Sequence, residues 1–317
     1  MDISIILCTY NRCDRLERVL QSLGNLKGHP EITWEVIVVD NNSKDRTKAV
    51  VEDHVRSGAD RVRYVFEGRQ GKSFALNTGI EAARGEILAF TDDDVTVHPQ
   101  WLRELKKTFD TYACMGAGGK IIPVFEEKGP SWLRLDVPHP FLNALVAFDL
   151  GEKPCALRTA PFGANVAFKK EAFKKYGLYR TDMGPTKDNP LGKGEDTEFS
   201  SRLLSAGETM MYASDAIVYH PVEQERMQKK YFESWYYNFG RASMTRSALP
   251  GRTVYYFGVP RYLYRQVFTR FFAWIMTLDG NERFCRKLEL CEAAGAMAEA
   301  SRRHRADAVS KQQSVAG

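Results

Sequence analysis

The sequence lacks the features that mark several classes of protein. Its six cysteines form no C-x-x-C pair and no disulfide-like spacing, which predicts free thiols in a reducing compartment. No stretch approaches the roughly 20 apolar residues of a membrane span. The short apolar run at the N-terminus also has no basic segment before it, unlike a signal peptide. We therefore expect a cytoplasmic protein.

Two nucleotide-binding motifs are also missing. No G-x-G-x-x-G follows the first apolar run, which argues against a dinucleotide-dependent oxidoreductase. A Walker A loop is excluded because Phe66 stands where its first glycine is required. The segment before Lys72 nevertheless contains glycines and precedes a helical pattern. Backbone amides and a lysine in such a place could hold a phosphate group.

Positive charge is concentrated in the C-terminal third of the chain. Residues 1–225 carry 29 Lys and Arg against 33 Asp and Glu, whereas residues 226–317 carry 16 against 7, a net charge of +9. A basic segment of this kind suggests an anionic partner, such as a membrane surface or a nucleic acid. The alternative is a solvated basic helix. No nucleic-acid recognition motif is present, so we expect no nucleic-acid partner.

Short apolar runs alternate with amphipathic helical patterns in the first 120 residues. The predicted strands cover 3–7, 35–39, 62–66 and 87–90, and this alternation predicts an α/β fold with a mostly parallel central sheet flanked by helices. In such a sheet, the loops after the strands surround a ligand crevice. The proline- and aromatic-rich segment 120–165 is predicted to be irregular. Further helices are expected near 171–176, 196–206 and 223–239, with short strands near 210–213 and 217–219.

Three consecutive carboxylates follow the fourth predicted strand. Asp92, Asp93 and Asp94 repel one another, so their burial would be costly without a cation. Their oxygen ligands suit Mg²⁺ or Mn²⁺. Alternation along a strand predicts that Asp92 and Asp94 face the crevice while Asp93 points elsewhere. The alternative interpretation is a solvated acidic turn.

Polar residues also follow other elements of the predicted sheet. Asp40 and Asn42 come after the second strand, where they could instead cap the next helix. Glu195 and Asp196 stand at the start of a helical pattern, whose dipole would stabilise a carboxylate. Asp196 could be a helix cap, but beside a metal-carboxylate site it is a natural general base.

Six segments of the sequence resemble the family 2 glycosyltransferases of the GT-A fold. They occur in the order and with the spacings usual for that family, and they span about residues 1–220. The segments are ISIILCTYNR, EVIVVDNNSKD, GKSFALNTGIEAARGE, ILAFTDDDV, FGANVAFKKEAF and GEDTEFSSRLLSAG.

The resemblance implies a binding site for a nucleotide-diphosphate sugar, with a UDP-sugar favoured. In this interpretation Asp40 accepts a hydrogen bond from the nucleotide base, and Asp92 reaches the ribose or the metal. The donor-binding residues implied are Thr9, Tyr10, Arg12, Asp40, Asn42, Lys72, Asn77, Asp92 and Asp93.

The resemblance also implies metal ligands and a catalytic base. Asp94 and Asp92 would bind Mg²⁺ or Mn²⁺, and His220 matches a histidine that contacts metal or diphosphate in some GT-A enzymes, although a strand-end histidine is often structural. Asp196, with Glu195 beside it, would remove the acceptor proton. The family match implies inversion at the anomeric carbon.

The domain boundaries follow from the same motifs. Residues 1–222 would form the catalytic domain, with a nucleotide-sugar-binding half (1–119) and an acceptor half (120–222). A helical C-terminal extension would occupy 223–305, and 306–317 would be a disordered tail. An amphipathic pattern at 261–278, with aromatics on one side and arginines on the other, suggests that 255–305 contacts a membrane. The alternative is packing on the catalytic domain or on a dimer partner.

The sequence thus predicts a glycosyltransferase that modifies an acceptor hydroxyl, placed in bacterial polysaccharide or glycolipid assembly. The acceptor would be a saccharide or a lipid-linked saccharide. A catalytically inactive binding subunit is one alternative, although intact Asp92, Asp94 and Asp196 argue against it. A sugar-phosphate nucleotidylyltransferase is another, but the first strand is followed by Thr9-Tyr10-Asn11-Arg12 rather than by a glycine- and arginine-rich phosphate loop.

Overall fold

The computed structural model describes residues 1–26, 31–133, 140–186, 194–246 and 253–315. Tertiary contacts divide the chain into two compact units. The first comprises Met1–Glu126, Leu145–Leu191 and Glu195–Val222, and the second comprises Glu127–Ala144, Gly192–Gly194 and Glu223–Gly317.

The first unit is built on one mixed sheet with helices packed against it. The strands are β1 (Ile3–Thr9), β2 (Trp34–Asp40), β3 (Val62–Phe66), β4 (Ile87–Asp92), β5 (Thr96–Val97), β6 (Gly116–Phe125), β7 (Cys155–Ala156), β8 (Val166–Lys169) and β9 (Met210–Val222). Their spatial order is β3-β2-β1-β4-β8-β6-β9-β5, and β7 pairs with β9. The helices are α1 (Cys13–Gly24), α2 (Thr47–Arg56), α3 (Lys72–Ala82), α4 (Trp101–Thr111), α5 (Lys170–Tyr176) and α6 (Glu195–Ser205).

One half of the sheet is parallel, as the sequence predicts. β2 pairs with β3 and β1, and β1 pairs with β4, all in parallel. Every residue of β2 is buried, and so are nearly all residues of β1 and β4. Continuous apolar strands of this kind result because both faces of the sheet are covered.

The other half of the sheet is mixed rather than parallel. β8 is antiparallel to β4 and to β6, while β6 and β9 run parallel. The two strands predicted near 210–213 and 217–219 are one strand, β9, because a register shift between Gly119 and Lys120 lets it continue past its interruption. A Cβ at Gly119 would lie 2.2 Å from the carbonyl oxygen of Ala216, so this irregularity requires glycine.

The second unit is helical. Its elements are α7 (Lys229–Arg246), β10 (Tyr255–Tyr256), β11 (Val259–Pro260), α8 (Arg261–Met276) and α9 (Gly280–Val315). The helix predicted near 223–239 begins only at Lys229, after a 3₁₀ turn at Gln224–Met227. The backbone of α9 continues into the segment predicted as a disordered tail. Among the described residues, no helix is long and apolar enough to cross a membrane.

Candidate active site

The carboxyl ends of β1, β2 and β4 lie side by side. Thr9 is opposite Asp40 in the β1–β2 pairing, and Cys8 is opposite Asp92 in the β1–β4 pairing. The polar residues that follow these strands therefore gather at one edge of the sheet, which is where open parallel sheets bind ligands.

The three aspartates after β4 have separate partners. The strand ends at Asp92, and Asp93 and Asp94 form a turn. Arg12 Nη1 lies 2.9 Å from Asp93 Oδ1 and 3.3 Å from Asp94 Oδ2. The expectation that Asp93 points away from Asp94 is therefore wrong, because strand alternation does not apply inside a turn. Both carboxylates face one guanidinium.

Asp94 also lies close to His220, which β9 contributes. His220 Nε2 is 3.8 Å from Asp94 Oδ1, and both side chains are almost completely buried. The second arginine of α1, Arg15, places Nη1 3.6 Å from Asp94 Oδ2. The pair of Asp94 and His220 thus joins two distant parts of the sequence at one point.

Lys72 links two carboxylates. Its Nζ donates a hydrogen bond to Asp92 Oδ1 at 2.7 Å and lies 3.8 Å from Glu195 Oε1. Burial disfavours the ammonium, but the two carboxylates outweigh it and hold the pKa of Lys72 well above its ordinary value. Burial likewise favours the neutral acid at Asp92, yet the charge of Lys72 lowers the pKa of that carboxyl.

Glu195 and Asp196 have different environments at the start of α6. Burial, followed by the negative charge of Asp196, raises the pKa of Glu195 to about 7. Asp196 is only partly buried. Its Oδ2 accepts a hydrogen bond from the Gly163 N–H and its Oδ1 accepts one from the Thr197 N–H, both at 2.7 Å. These two amides fix the orientation of the Asp196 carboxylate.

Two residues predicted to contact the donor are held by the protein itself. Asp40 accepts hydrogen bonds from the Ser43 N–H at 2.8 Å and from the Tyr64 hydroxyl at 2.7 Å. Asp40 therefore stabilises the turn after its strand, and it does not cap the next helix, which begins only at Thr47. Asn77 pairs with both backbone groups of Tyr179, at 2.9 and 3.0 Å.

The other predicted donor-site residues differ in their exposure. Tyr10 is 46% exposed, whereas Thr9 is buried below it at the end of β1. Asn42 has a positive φ of 66°, and its Oδ1 accepts a hydrogen bond from Lys44 Nζ at 2.8 Å. The strand ends therefore bring Thr9, Tyr10 and Arg12 to the edge that carries the aspartates.

Asn41 is a site residue that the sequence reasoning missed. Its Nδ2 donates to the carbonyl oxygen of Arg69 at 2.7 Å, and its Oδ1 accepts from the Gly71 N–H at 2.8 Å. Gly71 has a φ of +147°, which side chains rarely adopt, and it directly precedes Lys72. Asn41 thus shapes the loop that presents Lys72. An asparagine directly after a buried strand was the available signal.

The donor atoms fit a hard divalent cation. The carboxylates of Asp92 and Asp94 are ligands that Mg²⁺ and Mn²⁺ prefer, whereas the imidazole of His220 is a softer nitrogen ligand. Within the described part of the chain, no three such side chains are already arranged around one point. In the structure Lys72 pairs with Asp92, and Arg12 pairs with Asp94.

Comparisons with known proteins place the sequence in a family. A family model described as glycosyl transferase family 2 matches residues 4–177, which is more than half of the chain. Glycosyltransferase AglE of Haloferax volcanii is 29% identical over 220 residues, which cover 69% of this chain and 66% of that protein. Succinoglycan biosynthesis protein ExoM of Rhizobium meliloti is 28% identical over 227 residues, or 71% of this chain and 69% of that protein.

A solved structure with the same fold contains a nucleotide sugar. The mannosyltransferase PcManGT from Pyrobaculum calidifontis, in complex with GDP-Man and Mn²⁺, aligns with a TM-score of 0.56 at 19% identity. The alignment covers 99% of this chain and 80% of that protein. At this identity the similarity concerns the fold.

Proposed function

The chain belongs to glycosyl transferase family 2 and has the GT-A fold, and from this premise we propose that it transfers a sugar from a nucleotide diphosphate to an acceptor hydroxyl with inversion. The observation that carries the proposal is the position of Lys72, whose ammonium stands between Asp92 and Glu195. One cation thereby connects Asp92 with Glu195 at the start of α6.

The donor would bind along the edge where β1 and β4 end. Arg12 and Lys72 are cations that a diphosphate could recruit from their present carboxylate partners. A bound Mg²⁺ or Mn²⁺ would neutralise the negative charge that builds up on the departing diphosphate. Asp94, Asp92 and His220 are the residues that would hold it.

The acceptor proton would pass to Asp196. As the acceptor oxygen forms its bond to the anomeric carbon, the bond from that carbon to the diphosphate breaks and its electron pair leaves with the phosphate. The hydroxyl proton moves to a carboxylate oxygen of Asp196. The amides of Gly163 and Thr197 hold this carboxylate in place during the step. Its neighbour Glu195 lies 3.8 Å from Lys72 Nζ.

We place the reaction in polysaccharide or glycolipid assembly, with a UDP-sugar as the favoured donor and a saccharide or lipid-linked saccharide as acceptor. The name of the Rhizobium meliloti relative supports a role in polysaccharide assembly. The GDP-Man bound in the Pyrobaculum calidifontis structure keeps GDP-sugars among the donors to test. We also propose a cytoplasmic location with peripheral membrane contact through 255–305.

A donor screen tests the proposal. UDP- and GDP-sugars are added with Mn²⁺, and both the thermal midpoint and the release of nucleoside diphosphate are measured, with Asp196→Asn as the matched variant. We expect one donor class to raise the midpoint in both proteins and to be turned over only by the parent. Donor binding without turnover on saccharide and lipid-linked acceptors would favour an inactive binding subunit. No binding of any nucleotide sugar would refute the proposal.

A further inference from the structure

Exposed apolar side chains are concentrated in one segment of the second unit. Of the 18 large apolar side chains that are exposed among the described residues, eleven lie between Val254 and Leu278. Isolated exposed apolar residues are normal on a soluble protein, but a contiguous set marks an interaction surface. This segment forms the β10–β11 hairpin and α8.

Helix α8 turns an apolar face outward. Its inner face packs on α9, where Leu263 is buried and Arg270 donates a hydrogen bond from Nη1 to the carbonyl oxygen of Glu289 at 2.7 Å. The expected division into an aromatic side and an arginine side is therefore wrong, since an arginine occupies the packed face. The exposed side chains of the outer face are Phe268, Phe271, Phe272, Ile275 and Met276.

The hairpin adds a phenylalanine at its tip. Phe257 and Gly258 form the two-residue loop, and both have positive φ angles, 48° and 76°. A bulky residue rarely adopts this conformation, because its Cβ crowds the backbone. Phe257 is nevertheless 95% exposed, so no packing within the described chain accounts for it. Strain of this kind is commonly retained where a residue has a function.

The hairpin is fixed to the helices beside it. Tyr264 donates a hydrogen bond from its hydroxyl to the carbonyl oxygen of Tyr256 at 3.1 Å, which joins α8 to β10. A Cβ at Gly258 would lie 2.0 Å from His304 Cδ2, so the loop is also tight against α9. The hairpin is thus attached to α8 and α9, and we call its tip together with the outer face of α8 the aromatic surface.

Charge identifies the partner of this surface. Residues 253–278 contain three arginines and no acidic residue, and Arg261 and Arg265 are exposed at the start of α8. Deepening the membrane contact proposed above, we infer that the aromatic surface binds the interfacial layer of an anionic lipid bilayer, with Phe257, Phe268 and Phe272 inserted and the two exposed arginines on lipid phosphates. Aromatic side chains favour this layer, and basic residues are attracted to an anionic leaflet.

A second copy of the chain is the competing partner, and charge argues against it. A two-fold dimer places the same patch of both subunits face to face. Arg261 and Arg265 would then approach the arginines of the other copy with no carboxylate of this segment to pair with. Lipid phosphates supply the missing negative charge.

Vesicle co-sedimentation of the full-length protein without donor tests the inference independently of sugar transfer. We expect sedimentation with phosphatidylcholine vesicles that contain phosphatidylglycerol, and less with phosphatidylcholine alone or at high salt. Phe257→Ser and Phe272→Ser should each weaken binding about tenfold or more, since a buried phenylalanine is worth more than the about 1.4 kcal/mol of one tenfold step. Arg261→Ala with Arg265→Ala should abolish only the preference for anionic lipid.

Matched controls separate this surface from general exposure. Leu150→Ser removes an exposed apolar residue of the first unit, and Arg56→Ala with Arg103→Ala removes two exposed arginines there; neither change should alter binding. Phe257→Trp supplies a probe at the hairpin tip, whose fluorescence should be quenched by brominated lipid. An intact protein that stays in the supernatant at low salt would overturn the inference. Dimerisation in the absence of lipid would also overturn the inference if Phe272→Ser abolished it.

Discussion

Lys72 Nζ donates a hydrogen bond to Asp92 Oδ1 at 2.7 Å, and this contact joins the first residue of α3 to the last residue of β4. Both side chains are about one quarter exposed, so a ligand entering the crevice can reach either of them. The pair therefore joins two elements that border the crevice, and both of its charges are accessible to an anionic ligand.

Removing the ammonium should weaken donor binding. In Lys72→Met, Asp92 and Glu195 lose their shared cation and repel the diphosphate. Loss of one partner from such a charge pair typically costs about 2–5 kcal/mol, so we expect donor affinity to fall at least about 30-fold. Calorimetric titration with nucleoside diphosphate and Mn²⁺ measures this. Lys48→Met, at an exposed lysine, is the control variant. Equal affinities of the two variants would exclude Lys72 from the donor site.

The orientation of Asp196 can be tested separately from its charge. Asp196→Asn should lower kcat and kcat/KM together by about 10²–10⁴, because a base acts in the transition state, and donor affinity should stay unchanged. A Cβ at Gly163 would lie 2.9 Å from Asp196 Cβ, so Gly163→Ala should displace the carboxylate and lower kcat as well. Gly24→Ala, where the added Cβ meets no atom within 4 Å, is the control. Full turnover in Asp196→Asn would show that another residue removes the acceptor proton.

The positions of the strand ends could be predicted, because the burial of the strands requires them to be apolar. β2 and β4 are apolar on both faces because they are buried, so a carboxylate can follow such a strand only where the strand reaches the edge of the sheet. The positions of Asp40 and Asp92 therefore followed from these two strands. The parallel order of the first half followed from the alternation of strands and helices. The helical C-terminal region was expected from its own helical patterns, near 223–239 and at 261–278.

The partners of these side chains could not be predicted in this way. Asp93 faces Arg12 because the chain turns after Asp92, and no strand periodicity describes a turn. Asn77 pairs with Tyr179, which lies about 100 residues later in the chain. The antiparallel position of β8 also depends on long-range contacts, since a four-residue strand carries too weak a local pattern.

Activity should require a divalent cation. Excess chelator should abolish turnover, and Mn²⁺ or Mg²⁺ should restore it in the parent protein. Asp94→Asn should prevent this restoration and weaken Mn²⁺ binding, because it removes a buried anionic oxygen beside His220. Paramagnetic resonance of free Mn²⁺ measures binding without turnover, and Asp110→Asn on the surface of α4 is the control. Undiminished activity in excess chelator would contradict the prediction.

Glu195 should make the stability of the metal-free protein depend on pH. Its carboxyl has a pKa of about 7 in the folded protein, above the ordinary value of 4.5. The folded state therefore binds the proton more tightly, and stability falls as pH rises from about 4.5 to about 7. Glu195→Gln removes this effect, so its thermal midpoint should exceed that of the parent above pH 7 and match it near pH 4. The exposed residue Glu225 provides the control, Glu225→Gln. A constant difference across pH would contradict the assignment.

The crossing of α7 and α9 depends on two glycines and provides the last prediction. A Cβ at Gly295 would lie 1.9 Å from the carbonyl oxygen of Tyr237, and one at Gly240 would lie 1.9 Å from that of Glu292. Because these obstacles are backbone atoms, Gly295→Ala must separate the helices. Overpacking typically costs about 1–3 kcal/mol, and an overlap with backbone atoms should lie near the upper end of that range, above the roughly 1 kcal/mol that alanine gains over glycine inside a helix.

Hydrogen exchange locates this effect within the second unit. Amides of α7 and α9 should exchange faster in Gly295→Ala, while those of β1 and β4 keep their protection. Gly280→Ala, at the start of α9, is the matched control, since an added Cβ there meets no atom within 4 Å. The aromatic surface rests on α9 through α8, so vesicle binding should weaken in the first variant and persist in the second. Unchanged exchange in Gly295→Ala would mean that the two helices cross at a greater separation.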